Sequence, residues 1–214
     1  MELNSIYNKI LNSFPINKEE AIVLYTKAPT PVLMQMAMQI RYQLIPQQSV
    51  SWQIDRNVNI SNVCISDCLF CNFHSKKHEY QKHFVTSLDE YREKIAEMRA
   101  LGGNQLLLQG GLHPDFGIEF YENLFKSLKK ETPDVRLHAL GPPEIAHISK
   151  VSNLSYREVL ERLVASGLDS LPGAGAEVLC DRVRKIISPA KPDTKSWIEV
   201  MRQAHLMGLI TSAT

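Results

Sequence analysis

Three cysteines, Cys64, Cys68 and Cys71, lie close together with the spacing Cys-x3-Cys-x2-Cys. Thiolates are the usual ligands of iron-sulfur clusters, and a loop of this length can place three of them around one cluster. The fourth cysteine, Cys180, stands far along the chain in a segment whose pattern predicts a helix, so one iron would have no protein ligand. An electron-transfer cluster normally has all its positions filled, whereas an open iron suits a site where a substrate or cofactor binds the metal. We interpret Cys180 as an ordinary buried or half-buried thiol.

A structural zinc site is the alternative for the same three cysteines. His74 or His78 would complete a tetrahedral set of ligands. Structural zinc sites more often combine two cysteine-containing knuckles, and this segment supplies one. An iron-sulfur cluster is therefore the favoured prediction.

Two glycine-containing segments follow predicted strands. Gly110 and Gly111 are adjacent, and the segment Gly173–Glu177 precedes a predicted helix that carries Arg184. Small residues let a ligand approach the backbone, Glu177 can accept hydrogen bonds from ribose hydroxyls or an ammonium, and an arginine can pair with a carboxylate. A plain turn for the glycines, a first-turn acid for Glu177 and a solvated arginine are the structural alternatives.

His113 and Glu144 are weaker candidates for a catalytic role. With His138, they lie near the carboxyl ends of the second and third predicted strands, where parallel barrels place catalytic groups. Each is able to accept a proton. A structural role is the favoured interpretation for all three, because most buried polar groups serve hydrogen bonding.

The elements that would position these residues are βα units. From Asn57 onward, short apolar runs alternate with amphipathic segments, which predicts an α/β fold with a parallel sheet. Capping-box patterns at Ser87 with Glu90 and at Ser155 with Glu158 begin two of the helices. The predicted strands are 57–62, 104–109, 135–140, 168–171 and 209–213. Residues 1–50 are predicted to form a helical extension divided by prolines, and residues 51–214 to form the α/β domain.

The composition is that of a globular protein. The chain has 214 residues, 44% hydrophobic and 22% charged, with 24 basic and 23 acidic residues and a net charge of +1. The near-zero charge gives no indication of a nucleic acid or anionic membrane partner. The apolar stretch Pro31–Ile40 is too short to span a bilayer, and Met1–Phe14 lacks the pattern of a secretory signal. We therefore expect a cytoplasmic protein, in which clustered cysteines bind metal rather than form disulfides.

The segment Cys64–Cys71, with the aromatic Phe70 before the third cysteine, resembles the cluster motif of the radical S-adenosylmethionine superfamily. The resemblance implies a (β/α) barrel and a 4Fe-4S cluster whose open iron binds S-adenosylmethionine. It further implies reduction by an external electron donor, such as flavodoxin or ferredoxin, and a 5'-deoxyadenosyl radical that abstracts hydrogen from a small-molecule substrate.

The same resemblance assigns roles in cofactor binding. It implies cofactor contacts for Phe70, Glu177 and Arg184, and a backbone contact of Gly110 and Gly111 with the methionine amino group. Leu112 stands where many members of the superfamily carry an acid after the two glycines.

Four further segments resemble the radical enzymes of the futalosine pathway of menaquinone biosynthesis, namely residues 55–60, 107–115, 142–145 and 167–172. Gln109, the pair Pro142-Pro143 and the triplet Ile187-Ser188-Pro189 favour the enzyme that cyclises dehypoxanthine futalosine by abstracting a ribose hydrogen. The alternatives are aminofutalosine synthase, in which the radical adds to a double bond, and a deazaflavin cofactor synthase. A non-catalytic iron-sulfur or zinc module is the alternative from a different class.

The length adds an expectation about the barrel. A (β/α)8 barrel uses roughly 30 residues per unit, so residues 57–214 provide about five of the eight units. We expect an N-terminal part of a longer protein that lacks later strands of the substrate pocket. Such a piece would be prone to aggregation and weakly active on its own.

Replacing Cys64, Cys68 or Cys71 with Ala is expected to abolish iron binding and activity, because each change removes a thiolate ligand. Cys180→Ala is the matched control and should keep the cluster. Iron and sulfide analysis after anaerobic reconstitution measures both. If iron retention requires Cys180, the prediction of an open iron is wrong.

Overall fold

The computed structural model describes residues 2–76 and 78–213, and the chain divides into two compact units, Met1–Trp52 and Gln53–Thr214. The first unit consists of three α-helices, α1 (Leu3–Leu11), α2 (Lys18–Lys27) and α3 (Thr30–Leu44). Asn17 caps α2 through the backbone N–H of Glu20, whose carboxylate also accepts from Lys9 at 2.8 Å. Pro29 precedes α3, so the predicted proline break between two helices is observed.

The second unit alternates strands and helices. Its strands are β1 (Asp55–Asn59), β2 (Gln105–Gln109), β3 (Arg136–Ala139), β4 (Ser170–Leu171) and β5 (Ile210–Thr211). Its α-helices are α4 (Leu88–Ala100), α5 (Ile118–Glu131), α6 (Pro142–Ser152), α7 (Tyr156–Ala165), α8 (Asp181–Ile187) and α9 (Thr194–Leu206). A short 3-10 helix, Tyr80–Lys82, lies in the connection that follows β1.

The sheet is parallel throughout and has the strand order β1-β2-β3-β4-β5. Parallel strands joined by helices confirm the predicted α/β class. Alternate residues of the central strands form the core with the helices, namely Leu106 and Leu108 of β2 and Leu137 and Ala139 of β3. The opposite face is less buried and more polar.

The helix starts follow the predicted capping boxes. Ser87 accepts from the N–H of Glu90 at the start of α4, and Ser155 accepts from that of Glu158 at the start of α7. After α7, Gly167 adopts a φ of 116°, which a residue with a side chain rarely adopts. Helices α4 and α7 therefore begin where the capping-box sequences predict.

The observed strands differ from the predicted ones in their ends. β1 begins at Asp55 and ends at Asn59, because Ile60–Val63 leave the sheet and the chain forms a bridge from Ser61 to Val85. β4 is shorter than predicted, because the N–H of Leu168 still bonds to the carbonyl of Leu163 in α7.

One local prediction near α8 is wrong. Cys180 is exposed and stands at the N-cap position of α8, so it is not a buried or half-buried thiol. The structural alternative for Glu177, a first-turn acid, does not hold either, because α8 begins at Asp181 and Glu177 lies in the preceding loop with a φ of 49°. Throughout residues 2–76 and 78–213, the structure has no helix with the length and apolar character that crossing a membrane requires.

Candidate functional site

A cavity of about 250 Å³ lies at the carboxyl ends of the parallel strands. This edge is where parallel α/β folds bind ligands. Its walls include the last residues of β1 and β2, the loops that follow β1, β2 and β4, the first turn of α6 and the segment between α8 and α9. The residues that line it are Asn59, Cys64, Ser66, Cys68, Phe70, Cys71, Phe73, His74, Gln109, Gly110, Gly111, Leu112, Pro143, Glu144, Ala174, Gly175, Glu177 and Lys191. The cavity thus brings together the three cysteines, Phe70, the glycine pair, Glu144 and Glu177, but not Arg184, His113 or His138.

The three cysteines reach the cavity on the loop that leaves β1. The N–H of Cys64 bonds to the carbonyl of Ser75, and that of Cys71 bonds to the carbonyl of Cys68. The hydroxyl of Ser66 lies 3.2 Å from the Cys68 sulfur. The loop is therefore folded back on itself by hydrogen bonds, with its thiols toward the cavity.

Backbone hydrogen bonds hold the sulfur of Cys64. Its sulfur accepts hydrogen bonds from the N–H groups of Ser66 and Leu112, each at 3.3 Å. Burial raises the pKa of the Cys64 thiol, and these two N–H groups oppose that shift. Backbone donors aimed at a sulfur stabilise a thiolate and tune a cluster bound to it.

Gly110 and Gly111 allow the β2 end to touch the cysteine loop. A Cβ on Gly111 would lie 2.2 Å from the carbonyl oxygen of Val63, and one on Gly110 would lie 3.0 Å from that of Ser61. The N–H of Gly111 instead donates to the Ser61 carbonyl at 2.7 Å. Glycine is thus required at position 111 for backbone contact, and both glycines also line the cavity.

The donor set fits a cluster. Within the described part of the chain, no group of three or more histidine, cysteine, aspartate or glutamate side chains is arranged to hold a single metal ion. Thiolates of an iron-sulfur cluster each bind a different iron, so they surround a volume and do not meet at one point. Cys64, Cys68 and Cys71 all line one cavity.

His74 does not complete a zinc site in this arrangement. Its Nδ1 lies 2.7 Å from the carbonyl oxygen of Cys71, and its Nε2 lies 3.8 Å from the carboxylate of Asp67. Both ring nitrogens therefore face protein oxygens. His78 is exposed and is not among the residues that line the cavity.

Glu144 lies in the cavity wall at the start of α6. It is 8% exposed, and its carboxylate accepts from the N–H of Gly141 at 3.0 Å. Burial raises the pKa of Glu144, while the backbone N–H groups of Gly141 and Gly110 and the positive charge of Lys191 oppose the rise. This carboxyl group lines the same cavity as the glycine pair and Lys191.

Glu177 and Phe70 form another wall of the cavity together with Lys191, a residue that no sequence motif indicated. The ammonium of Lys191 lies 2.8 Å from the Glu177 carboxylate and 5.4 Å from the centre of the Phe70 ring. Lys191 stands in an irregular segment between α8 and α9. Lys191 is a single lysine in a polar stretch that matches no motif, so the sequence did not indicate its place in the cavity.

Arg184 is 2% exposed and is not among the residues that line the cavity. Its guanidinium donates to the Pro192 carbonyl at 2.7 Å and to the Ala176 carbonyl at 2.5 Å. These bonds tie the loop that carries Glu177 to the segment that carries Lys191. The contact of Arg184 with a cofactor stays a prediction, whereas its role in holding these two segments is visible.

The two histidine candidates lie outside the cavity lining. His113 stacks on Phe116 with ring centres 3.7 Å apart, and its carbonyl accepts from the ring of His147 at 2.8 Å. His138 lies in β3 with its Nδ1 2.7 Å from the hydroxyl of Ser170 in β4. Burial lowers the pKa of His138.

Comparison with known proteins agrees with this geometry. The family model described as the radical SAM superfamily matches residues 58–214, which include the cysteine loop and every strand end that forms the cavity. The chain belongs to the radical SAM superfamily. Members of this superfamily use a 4Fe-4S cluster and S-adenosylmethionine, which are the cofactors that the resemblance of the cysteine segment implied.

Relatives with different activities match at similar identity. The chain is 38% identical over 215 residues to the cyclic dehypoxanthine futalosine synthase of Streptomyces coelicolor, covering 100% of this chain and 54% of the relative. It is 39% identical over 197 residues to a 5-amino-6-(D-ribitylamino)uracil--L-tyrosine 4-hydroxyphenyl transferase of Methanosarcina mazei, covering 92% of this chain and 50% of the relative. The chain therefore spans about half the length of the curated relatives it matches.

Solved structures show the same fold. Methylornithine synthase superposes with a TM-score of 0.66 at 12% identity, covering 96% of this chain and 57% of that one. A maturase of the FeFe-hydrogenase superposes with a TM-score of 0.71 at 19% identity, covering 98% of this chain and 45% of that one. At such low identity these likenesses concern the fold alone, and they confirm the predicted radical SAM architecture.

Arg184→Met is expected to lower the free energy of unfolding by about 3 kcal/mol, because buried carbonyls of two loops lose their donors. Arg182→Met, at an exposed position on the same helix, is the control and should change it by less than about 0.5 kcal/mol. Chemical denaturation measures both. Normal stability combined with lost binding of S-adenosylmethionine would instead show that Arg184 acts as a direct cofactor contact.

Proposed function

We propose that this chain is part of a radical S-adenosylmethionine enzyme that cyclises dehypoxanthine futalosine in menaquinone biosynthesis. The observation that carries the proposal is the single cavity in which three cysteine thiols, the Gly110-Gly111 backbone and the Glu177 carboxylate meet at the carboxyl ends of parallel strands. The finer assignment to the cyclase is supported by similarity to the Streptomyces relative along the whole chain.

The residues divide into those that hold the cluster and those that face the cofactor. Cys64, Cys68 and Cys71 would hold three irons. When bound, the cluster and S-adenosylmethionine supply a carbon-centred radical for hydrogen abstraction. Glu177 offers a carboxylate to ribose hydroxyls, and Gly110 leaves backbone accessible for a polar contact.

The polar face of the sheet suits a substrate rich in hydroxyl groups. Asn59 and Gln109 are register partners at the ends of β1 and β2, and both line the cavity. Primary amides donate and accept hydrogen bonds, which is the chemistry that recognises a sugar. His138 and Ser170 continue the polar character across β3 and β4 on the same face.

A second candidate follows from the other relatives. The Methanosarcina protein, by its name, transfers a 4-hydroxyphenyl group between L-tyrosine and 5-amino-6-(D-ribitylamino)uracil, and its identity to this chain is 39%. Its uracil substrate also carries a polyol, so the amides at the cavity do not separate the two activities. Aminofutalosine synthase is a further alternative, on the resemblance of the four segments to futalosine-pathway enzymes.

The partners belong to the proposal as well. A low-potential cluster needs an external electron donor, for which flavodoxin or ferredoxin is proposed. The complete active site is proposed to include strands beyond those of this chain, because the relatives are about twice as long.

The complete enzyme of which this chain is proposed to be a part is expected, after reconstitution and under reducing conditions with S-adenosylmethionine, to convert dehypoxanthine futalosine into a product two hydrogens lighter. This mass change is the difference between the open substrate and its cyclised form. Mass spectrometry of the product, with 5'-deoxyadenosine measured in parallel, tests this. The Cys68→Ala variant is the control and should give neither product.

The alternatives give different outcomes in the same assay. Consumption of the enolpyruvyl benzoate substrate points to aminofutalosine synthase, and joining of tyrosine's hydroxyphenyl group to the ribitylaminouracil points to the transferase. One tightly bound zinc with no nucleoside product would contradict the radical chemistry and indicate a non-catalytic module.

A further inference from the structure

We propose that Lys191 is a positioning residue that holds Glu177 and Phe70 in the cavity wall, and that through Glu177 it sets the affinity of the site for S-adenosylmethionine. The inference rests on the proposed function, since it takes the nucleoside part of that cofactor as the ligand of Glu177. Lys191 also lines the cavity, but its ammonium is already paired with Glu177. Its effect is exerted through the carboxylate that it fixes.

Lys191 is engaged by two groups that face the cavity. Its side chain is 14% exposed, and its ammonium lies 2.8 Å from Oε1 of Glu177. The same ammonium lies 5.4 Å from the centre of the Phe70 ring, within the range of a cation–π contact. One cation therefore joins the loop after β4 to the aromatic residue of the cysteine motif.

Glu177 lies in a loop whose backbone is held in a strained conformation by packing. Its φ of 49° lies in the left-handed region, which residues other than glycine adopt rarely and which persists where the surroundings impose it. Gly175, two residues earlier, has a φ of 74°. A Cβ added to Gly175 would lie 2.4 Å from the Pro143 ring and 3.7 Å from the Lys191 ammonium. The loop is therefore packed between α6 and the Lys191 segment.

The backbone behind Lys191 is anchored independently. The carbonyl of Pro192, the next residue, accepts from the Arg184 guanidinium, which also donates to the carbonyl of Ala176 beside Glu177. The base of the lysine and the base of the glutamate are thus tied together by Arg184. Their side chains then meet at the cavity. Loss of the Lys191 ammonium should leave both backbones in place and release only the Glu177 carboxylate.

The local charges favour this role over direct binding of an anionic ligand. Burial raises the pKa of Glu144, and the positive charge of nearby Lys191 opposes that rise. Two carboxylic acids and one ammonium therefore share this part of the cavity. The ammonium is already paired with Glu177. Its charge therefore orients that carboxylate, which can accept hydrogen bonds from neutral hydroxyl groups.

The test uses equilibrium dialysis of S-adenosylmethionine against the anaerobically reconstituted chain. Lys191→Met should bind the cofactor about tenfold more weakly, the effect of losing one charge-assisted hydrogen bond that orders a binding group. Iron content and the midpoint of thermal unfolding should stay at the wild-type values. Lys191→Arg should restore most of the affinity, and Lys195→Met, at an exposed site in α9, should bind like the wild type.

A double-mutant cycle with Glu177→Gln separates a positioning role from an independent one. If Lys191 acts through Glu177, the double variant should bind no more weakly than Glu177→Gln alone. The inference is wrong if the losses of affinity in the two single variants multiply in the double variant. It is also wrong if Lys191→Met binds the cofactor as the wild type does, or if that variant loses iron or thermal stability. If the reconstituted wild type itself binds no S-adenosylmethionine, the proposed function fails and this inference fails with it. Unchanged binding by Lys191→Met alone leaves the proposed function standing.

Discussion

The cavity depends on the close approach of two backbone segments, the one that leaves β1 and the one that leaves β2. The N–H of Gly111 donates to the carbonyl of Ser61, and the N–H of Ile65 donates to that of Leu112. A side chain at position 111 would overlap the carbonyl of Val63. This contact also aims the N–H of Leu112 at the Cys64 sulfur. The cysteine loop therefore depends on the glycine pair for its position, and the two motifs form one structural unit.

The opposite wall is organised by buried positive charge. Arg184 ties the backbone of the loop after β4 to the segment before α9, and Lys191 pairs there with Glu177. Neither contact forms part of the sheet or of the apolar core. A parallel sheet ends in loops with few obligatory hydrogen bonds, so side-chain cations supply the order that the strands do not. Backbone hydrogen bonds thus hold the cluster side of the cavity, and charged side chains hold the facing side.

Sequence patterns predicted the parts of this molecule that follow local rules. Hydrophobic alternation identified the βα units, capping boxes located the starts of α4 and α7, and spacing identified the cysteine loop. The strand ends were less predictable, since Leu168 completes the end of α7 before it can enter β4. The roles of Arg184 and Lys191 could not be predicted, because they arise from loops that meet only in the folded chain. His113 was a weaker candidate because it follows a strand, and its ring stacks on Phe116 outside the cavity lining, as the favoured structural interpretation implies.

The central claim is that three cysteines hold a cluster that keeps one iron open to S-adenosylmethionine. Mössbauer spectroscopy of the anaerobically reconstituted chain, recorded with and without the cofactor, tests it most directly. The account predicts that one of the four irons of a 4Fe-4S cluster changes its spectrum when the cofactor is added, while the other three do not. A spectrum that is unchanged by the cofactor, in a protein with a full complement of iron, would contradict it.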